Sequence, residues 1–229
     1  MKYPTAILIC LAICSAAWPA PSPIGLNVRD FGAVGNGVNN DTTAFRNAIN
    51  QAASTGETVV VPAGTYRITD TLSLSKVAMI GISSGDWNSD NCSMPTILPQ
   101  STTGPGVRLY GGGSVRGLRF VYDWGTSQPA SRPATIEIAG VGVRISECRI
   151  EGAWDAIMCN GSSNPGRSII EDCAIRDVHN IGVRFTGALD SSWITGVRVS
   201  SPNSARFPTS GIGFLLGKND VLLVSDCSV

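Results

Sequence analysis

The segment Asn27–Thr69 reads NVRDFGAVGNGVNNDTTAFRNAINQAASTGETVVVPAGTYRIT, and its order of elements decides the fold. A short strand over residues 27–31 leads into a glycine-rich turn. An Asn-Asp pair precedes Thr42, and because such side chains accept hydrogen bonds from the first amides of a helix, we predict that a helix begins there. The apolar run Val59–Val61, followed by Pro-Ala-Gly, predicts a buried strand directly after the helix.

The predicted helix has one apolar face. Phe45, Ala48, Ile49 and Ala52 recur at spacings of three and four residues, which is the period of a helix surface. A single helix with one apolar face must cover another part of the protein.

The order of these motifs resembles the opening segment of the pectate-lyase-like superfamily of right-handed parallel β-helices. The motifs are G-A-x-G-x-G at residues 32–37, Asp-Thr at the helix start and V-V-V-P-A-G-T-Y at residues 59–66. That superfamily includes polygalacturonases, rhamnogalacturonases, exo-glucanases, uronan epimerases and phage tailspikes. The resemblance implies an all-β fold, a right-handed parallel β-helix (solenoid) with one N-terminal capping α-helix. The chain has Gly-Asn-Gly and Asn-Asp-Thr where the family usually has Gly-Asp-Gly and Asp-Asp-Thr, and both departures keep turn and cap chemistry.

Length and composition are consistent with one secreted domain. The chain has 229 residues, 43% of them hydrophobic, and 26 glycines, which favours a real core built from many short strands and turns. The formal net charge is zero, so bulk electrostatics gives no indication of nucleic acid or an anionic membrane as a partner.

The first residues predict export. Residues 1–17 combine Lys2, an uncharged apolar run and a small-x-small ending at Ala17, as in a secretory signal peptide. We therefore expect a signal peptide at 1–17, a linker at 18–26 and a β-helix domain at 27–229, secreted or periplasmic and without membrane attachment. The segment Leu11–Cys14 also resembles a bacterial lipoprotein signal, so lipidation is a minor alternative.

Five copies of one pattern follow along the chain. Each has apolar residues at i, i+3 and i+5, and the copies begin at Val115, Ile145, Ile170, Ile194 and Val224. A straight strand cannot place these positions on one face, but two strands joined by a two-residue corner can, as in a coil of a parallel β-helix. A third strand is predicted in each coil at residues 136–138, 157–159, 183–185 and 213–215. The fifth copy ends at Val229, which predicts a fragment of a longer β-helix because a solenoid requires a terminal cap.

The cysteines fit this repeat better than they fit a disulfide framework. Cys148, Cys173 and Cys227 take the same position in their copies, and no Cys-x-x-Cys pair is present. We expect a stack of small apolar core residues rather than a zinc site.

By resemblance, the polysaccharide-binding groove lies on the outward face of the third strands. There the pattern predicts the following outward or flanking residues: Glu137, Glu151, Asp155, Met158, Asp177, His179, Arg184, Asp190 and Phe214. Glycosidases use two carboxyls about 5 to 9.5 Å apart, and we predict Asp155 and Asp177 as that pair because neighbouring coils lie roughly 4.8 Å apart. A lyase would instead use a base such as Arg184, with Ca²⁺ as cofactor. We predict Glu137, Glu151, His179 and Phe214 as substrate-binding residues and no protein metal site.

Each candidate also has a purely structural explanation. Aspartates are common at turns because their side chains bind nearby backbone amides, and His179 fits a surface turn. The Gly-His-Gly and paired aspartates of polygalacturonases are absent from the sequence. Asp86–Asn91 resembles half of a calcium loop but lacks its glycine and glutamate, so we interpret it as a surface loop. Two hypotheses remain open: a secreted polysaccharide lyase or glycoside hydrolase, and a non-catalytic glycan-binding or scaffold β-helix, including an inactive fragment of a longer enzyme.

Overall fold

The computed structural model describes residues 25–82, 93–123, 131–159, 164–200 and 211–229. The predicted signal peptide, most of the predicted linker and the calcium-like loop lie outside these residues. The first strand begins at Leu26, one residue before the predicted start of the domain.

The elements follow one another as short strands with one α-helix. The N-terminal part contains β1 (Leu26–Asn27), a 3₁₀ helix (Val28–Phe31), β2 (Asn36–Asn40), α1 (Thr42–Thr55), β3 (Val59–Val61), β4 (Thr65–Ile68), β5 (Leu72–Leu74), β6 (Ala78–Gly81) and β7 (Thr96–Pro99). The middle part contains β8 (Val107–Leu109), β9 (Ser114–Arg116), β10 (Arg119–Val121), β11 (Ile136–Ile138), β12 (Arg144–Ser146), β13 (Arg149–Glu151) and β14 (Asp155–Met158). The last part contains β15 (Ile169–Glu171), β16 (Ala174–Arg176), β17 (Ile181–Phe185), β18 (Ser192–Thr195), β19 (Arg198–Ser200), β20 (Ile212–Leu216) and β21 (Leu222–Ser225).

These strands form three parallel sheets stacked as a solenoid. Sheet A has the order β1-β3-β6-β9-β12-β15-β18-β21, sheet B has β19-β16-β13-β10-β7-β4-β2, and sheet C has β20-β17-β14-β11-β8-β5. Successive coils contribute one strand to each sheet, which confirms the predicted parallel β-helix.

The predicted two-residue corner joins sheet A to sheet B. Ile145 lies in β12 and Ile150 in β13, and both side chains are fully buried. Ile145 pairs with Val115 and Ile170 of the neighbouring coils, so the repeat found in the sequence is the register of the sheets. At the corner Glu147 has a φ of 51°, a left-handed conformation that turns the chain within two residues.

The helix covers the N-terminal end of the solenoid. Phe45 is fully buried in α1, and its ring meets that of Tyr66 edge-on at a centroid distance of 5.3 Å. The helix starts at Thr42 as predicted, but Asp41 makes no cap hydrogen bond from its side chain. Its carboxylate instead accepts from the amide of Val34 at 2.7 Å, while the side chain of Asn40 accepts from the Thr42 amide at 3.1 Å. Asp41 thus fastens the glycine-rich segment to the helix.

The strand predicted over residues 27–31 is wrong beyond its first residue. The Asn27 side chain accepts a hydrogen bond from the Arg29 amide at 2.9 Å, and residues 28–31 form a 3₁₀ helix. Gly32 ends this helix in the left-handed conformation, with a φ of 95°.

The core runs along the solenoid axis between the sheets. Cys148 and Cys173 are fully buried, and Cys227 is partly buried. The cysteines among the described residues are free thiols, as the core-stack interpretation predicts. Within the described ranges, no helix has the length and apolar character needed to span a membrane.

Candidate functional site

Sheet C presents one row of outward side chains along the axis of the solenoid. The strand register aligns these residues: Ser73, Arg108, Glu137, Met158, Arg184 and Leu215. Side chains alternate across a strand, and in β11 the flanking Ile136 and Ile138 are buried while Glu137 faces outward. We call this row the groove row.

A cavity of about 250 Å³ lies over the middle of the groove row. Its walls come from residues 103–105 and 133–134, which lead from sheet B into the strands of sheet C. The charged or flexible side chains that line it are Arg108, Glu137, Asp155 and Met158. Three coils therefore contribute to one concave site, which is the usual shape of a ligand site.

Glu137 and Arg108 form an ion pair on the floor of the cavity. The Arg108 Nε donates to Glu137 Oε2 at 2.5 Å, and the two side chains remain 34% and 20% exposed. This pair raises the pKa of the Arg108 guanidinium. The ion pair fixes the position of the Glu137 carboxylate on the cavity floor.

Asp155 is a half-buried carboxyl that lines this cavity. Burial raises the pKa of the Asp155 carboxyl above its ordinary value, against the opposing effects of a hydrogen bond from Asn180 and the positive charge of Arg184. The Asn180 Nδ2 donates to Asp155 Oδ1 at 2.8 Å. The carboxyl is thus both oriented and biased toward its protonated form.

Backbone hydrogen bonds to the preceding coil hold Asn180 in place. The Asn180 amide donates to the Trp154 carbonyl at 2.8 Å, and the preceding His179 amide donates to the Ala153 carbonyl at 2.9 Å. The His179 ring stacks on that of Trp154, with the centroids 6.4 Å apart and the planes 16° apart. His179 is only 3% exposed, and burial lowers its pKa. The predicted substrate-binding residue His179 is therefore buried against Trp154 and is not among the residues that line this cavity.

Arg184 occupies the groove row next to Met158, as predicted. It is half-buried, and its Nε is buried without a hydrogen-bond partner among the described residues. Its charge reaches Asp155, whose pKa it lowers. Arg184 therefore adds a second positive charge to the groove row, one coil beyond Met158.

The two members of the predicted carboxyl pair, Asp155 and Asp177, are not register partners, because they lie at different points of their coils. Glu151 pairs with Arg176, which places the next residue, Asp177, opposite Gly152 at the corner between sheets B and C. Asp177 has a φ of 54° there. Asp155 instead pairs with Ile181 in sheet C.

Two predicted substrate-binding residues also lie elsewhere. Glu151 ends β13 in sheet B, where its carboxylate binds Arg119 at 2.6 Å and also the Nε of Arg149. Phe214 pairs with Val183 and packs against the core, so its predicted outward position is wrong. In the sequence each third strand precedes a glycine at the same spacing, which predicts Phe214 as the outward residue of the last one. In the structure the register of β20 is shifted by one residue relative to that pattern, and Leu215 takes the outward position.

The sequence interpretation missed Arg108 and Asn180. Arg108 had a usable signal, because Val107-Arg108-Leu109 is followed by a glycine at the same distance as in the other third strands. Asn180 had none, since its role depends on a contact between coils 25 residues apart. Within the described ranges, no group of three or more His, Cys, Asp or Glu side chains is arranged to hold a metal ion.

Comparison with known protein families adds one match at the N-terminus. Residues 25–90 match the family described as rhamnogalacturonase A/epimerase, pectate lyase-like. Mannuronan C5-epimerase AlgE5 of Azotobacter vinelandii is 56% identical over 43 residues, which is 18% of this chain and 4% of that enzyme. The family match ends before the residues that line the cavity.

Solved structures resemble the chain over most of its length. A putative glycosyl hydrolase from Parabacteroides merdae ATCC 43184 superimposes with a TM-score of 0.59 and 12% identity, covering 88% of this chain and 96% of that one. The tailspike protein gp49 of the Acinetobacter baumannii bacteriophage Fri1, a capsular polysaccharide depolymerase, gives a TM-score of 0.57 and 13% identity, covering 90% of this chain and 50% of that one. At these identities the likeness concerns the fold alone.

Proposed function

We propose that this chain, a pectate-lyase-like parallel β-helix, is an exported glycoside hydrolase that binds a polysaccharide along the groove row and uses Asp155 as its proton donor. The observation that carries the proposal is that two carboxyl groups, those of Asp155 and Glu137, line one cavity on the groove face, and burial raises the pKa of Asp155. Two carboxyl groups whose environments differ in this way are the usual basis of an acid and base assignment.

Glu137 is the proposed second carboxylate. It pairs with Met158, three residues after Asp155, so at about 3.3 Å per residue and 4.8 Å between strands the two Cα atoms are roughly 11 Å apart. Both side chains line one cavity. This geometry favours the separation of about 6.5 to 9.5 Å used by inverting enzymes over the shorter separation of retaining ones.

The proposed reaction follows from these two positions. Protonated Asp155 donates its proton to the glycosidic oxygen, and the bond from that oxygen to the anomeric carbon breaks. A water molecule on the opposite face attacks the anomeric carbon and gives its proton to the Glu137 carboxylate, which Arg108 holds in place. The products are two shorter saccharides with inverted configuration at the new reducing end.

A second candidate is glycan binding without cleavage. The ion pair of Glu137 with Arg108 and the presence of Met158 in the groove row favour it, since both are features of a binding surface. β-Elimination with Arg184 as base and Ca²⁺ as cofactor remains the alternative chemistry.

The test is release of reducing ends from alginate, polygalacturonate and a neutral β-glucan. We expect Asp155→Asn to lower kcat by about 100-fold or more, as loss of a general acid does. Asp177→Asn is the matched control and should retain activity. Product with an unsaturated end, or loss of activity on chelation of calcium, would indicate β-elimination. Binding without product formation would leave the glycan-binding function in its place.

A further inference from the structure

The outer face of sheet A carries a solvent-exposed apolar row, distinct from the groove row on sheet C. Ile169, Trp193 and Leu223 are aligned by the register of β15, β18 and β21. Trp193 is 39% exposed and Leu223 is 54% exposed, whereas the adjacent Ile194 is fully buried. The row therefore points away from the core and into solvent.

A polar row runs beside it on the same face. Glu171, Thr195 and Ser225 are aligned two residues further along the same strands. The hydroxyls of Thr195 and Ser225 lie 2.9 Å apart, and Glu171 forms an ion pair with Arg144 of the preceding coil at 2.5 Å. Since two strand residues span roughly 7 Å, the apolar and polar rows are close enough to contact one small molecule.

This combination matches the chemistry of a sugar ring. A pyranose has an apolar face of C–H groups, which packs on an indole ring, and a rim of hydroxyls that donate and accept hydrogen bonds. The rows run parallel to the solenoid axis with one rung about every 4.8 Å, so a linear polymer laid along them contacts successive coils. An apolar protein surface would desolvate the polar row without offering it hydrogen bonds in return, which costs free energy.

We propose that this face of sheet A, centred on Trp193, is a second polysaccharide-binding site that holds the polymer substrate outside the groove. The choice of ligand rests on the function proposed above, but the site itself shares no residue with the groove. Holding a long chain at two places raises the effective concentration of its bonds at the groove, so the site should act on polymers and not on short oligosaccharides.

The experiment uses the full chain and the variants Trp193→Ala and Trp193→Phe. Binding to alginate, polygalacturonate and a neutral β-glucan is measured in the Asp155→Asn background, so that cleavage does not interfere. We expect Trp193→Ala to weaken binding to whichever of these polymers the chain binds by about tenfold, because the indole surface is lost, and Trp193→Phe to retain most of the affinity. Unchanged far-UV circular dichroism shows that the fold is intact.

The outcomes separate this site from the groove. If Trp193→Ala loses polymer binding but hydrolyses short oligosaccharides at the normal rate, the second site is supported. If the wild type cleaves oligosaccharides but Trp193→Ala binds polymer normally, the second site is refuted and the proposed function stands. If the wild type binds none of the three polymers, the proposal is wrong. It is also wrong if the wild type forms a dimer that Trp193→Ala dissociates without any change in polymer binding.

Discussion

The strand that carries Asp155 depends on one buried side chain. Ile157 is fully buried in β14 and lies between Ile136 and Val183 in the inward row of sheet C. Ile157→Ala removes three carbons, which corresponds to about 2.4 kcal/mol of lost transfer free energy at about 0.8 kcal/mol each. The cavity left behind adds to this, so we expect a total loss of about 3 to 4 kcal/mol.

Urea denaturation measures this loss of the free energy of unfolding, and binding is a second readout. Ile157→Val removes one carbon and should cost about 1 kcal/mol, which gives a graded series. Leu189→Ala is the control, because Leu189 is 64% exposed and its truncation should change stability by less than about 0.5 kcal/mol. A cost below about 1 kcal/mol for Ile157→Ala, or one equal to that of Leu189→Ala, would refute the packing of this strand and with it the position of Asp155.

Two further predictions concern the charged groups. The hydrogen bond from Asn180 lowers the pKa of Asp155, so Asn180→Ala should raise that pKa further. Because the protonated acid is the active form, the fall in activity at high pH should then move to higher pH in the pH-rate profile. An unchanged profile would contradict this. Arg149 is 5% exposed and bound to Glu151, so Arg149→Ala should lower the free energy of unfolding, measured in urea, by about 3 kcal/mol. The Arg119 side chain is more exposed, and Arg119→Ala should lower it by less than about 1 kcal/mol. Equal losses would contradict the role of burial.

Local signals in the sequence were sufficient for the repeating architecture. The apolar positions of each copy, such as Ile145 and Ile150, are set by burial within one short corner. The start of the helix at Thr42 likewise depends on contacts within a few residues. The apolar helix face with Phe45 depends on the regular period of one short stretch. For this reason the fold could be predicted from the chain alone.

The site depends on contacts between coils, and these were only partly predictable. Glu137, Met158 and Arg184 were placed in the groove row because each lies three positions before a glycine in the sequence, and the register aligns them. Phe214 was misplaced because a shift of one residue in a strand exchanges inward and outward side chains. The corner position of Asp177 is fixed by a backbone conformation that the sequence pattern does not reveal.

Hydrogen-deuterium exchange with a bound oligosaccharide tests the central claim most directly. With the Asp155→Asn variant and the oligosaccharide form of whichever polymer it binds, we expect slower exchange in β11, β14 and β17 and in residues 103–105, with sheet B unchanged. Slower exchange confined to sheet B or to the corner at Asp177 would contradict the assignment of the groove to sheet C.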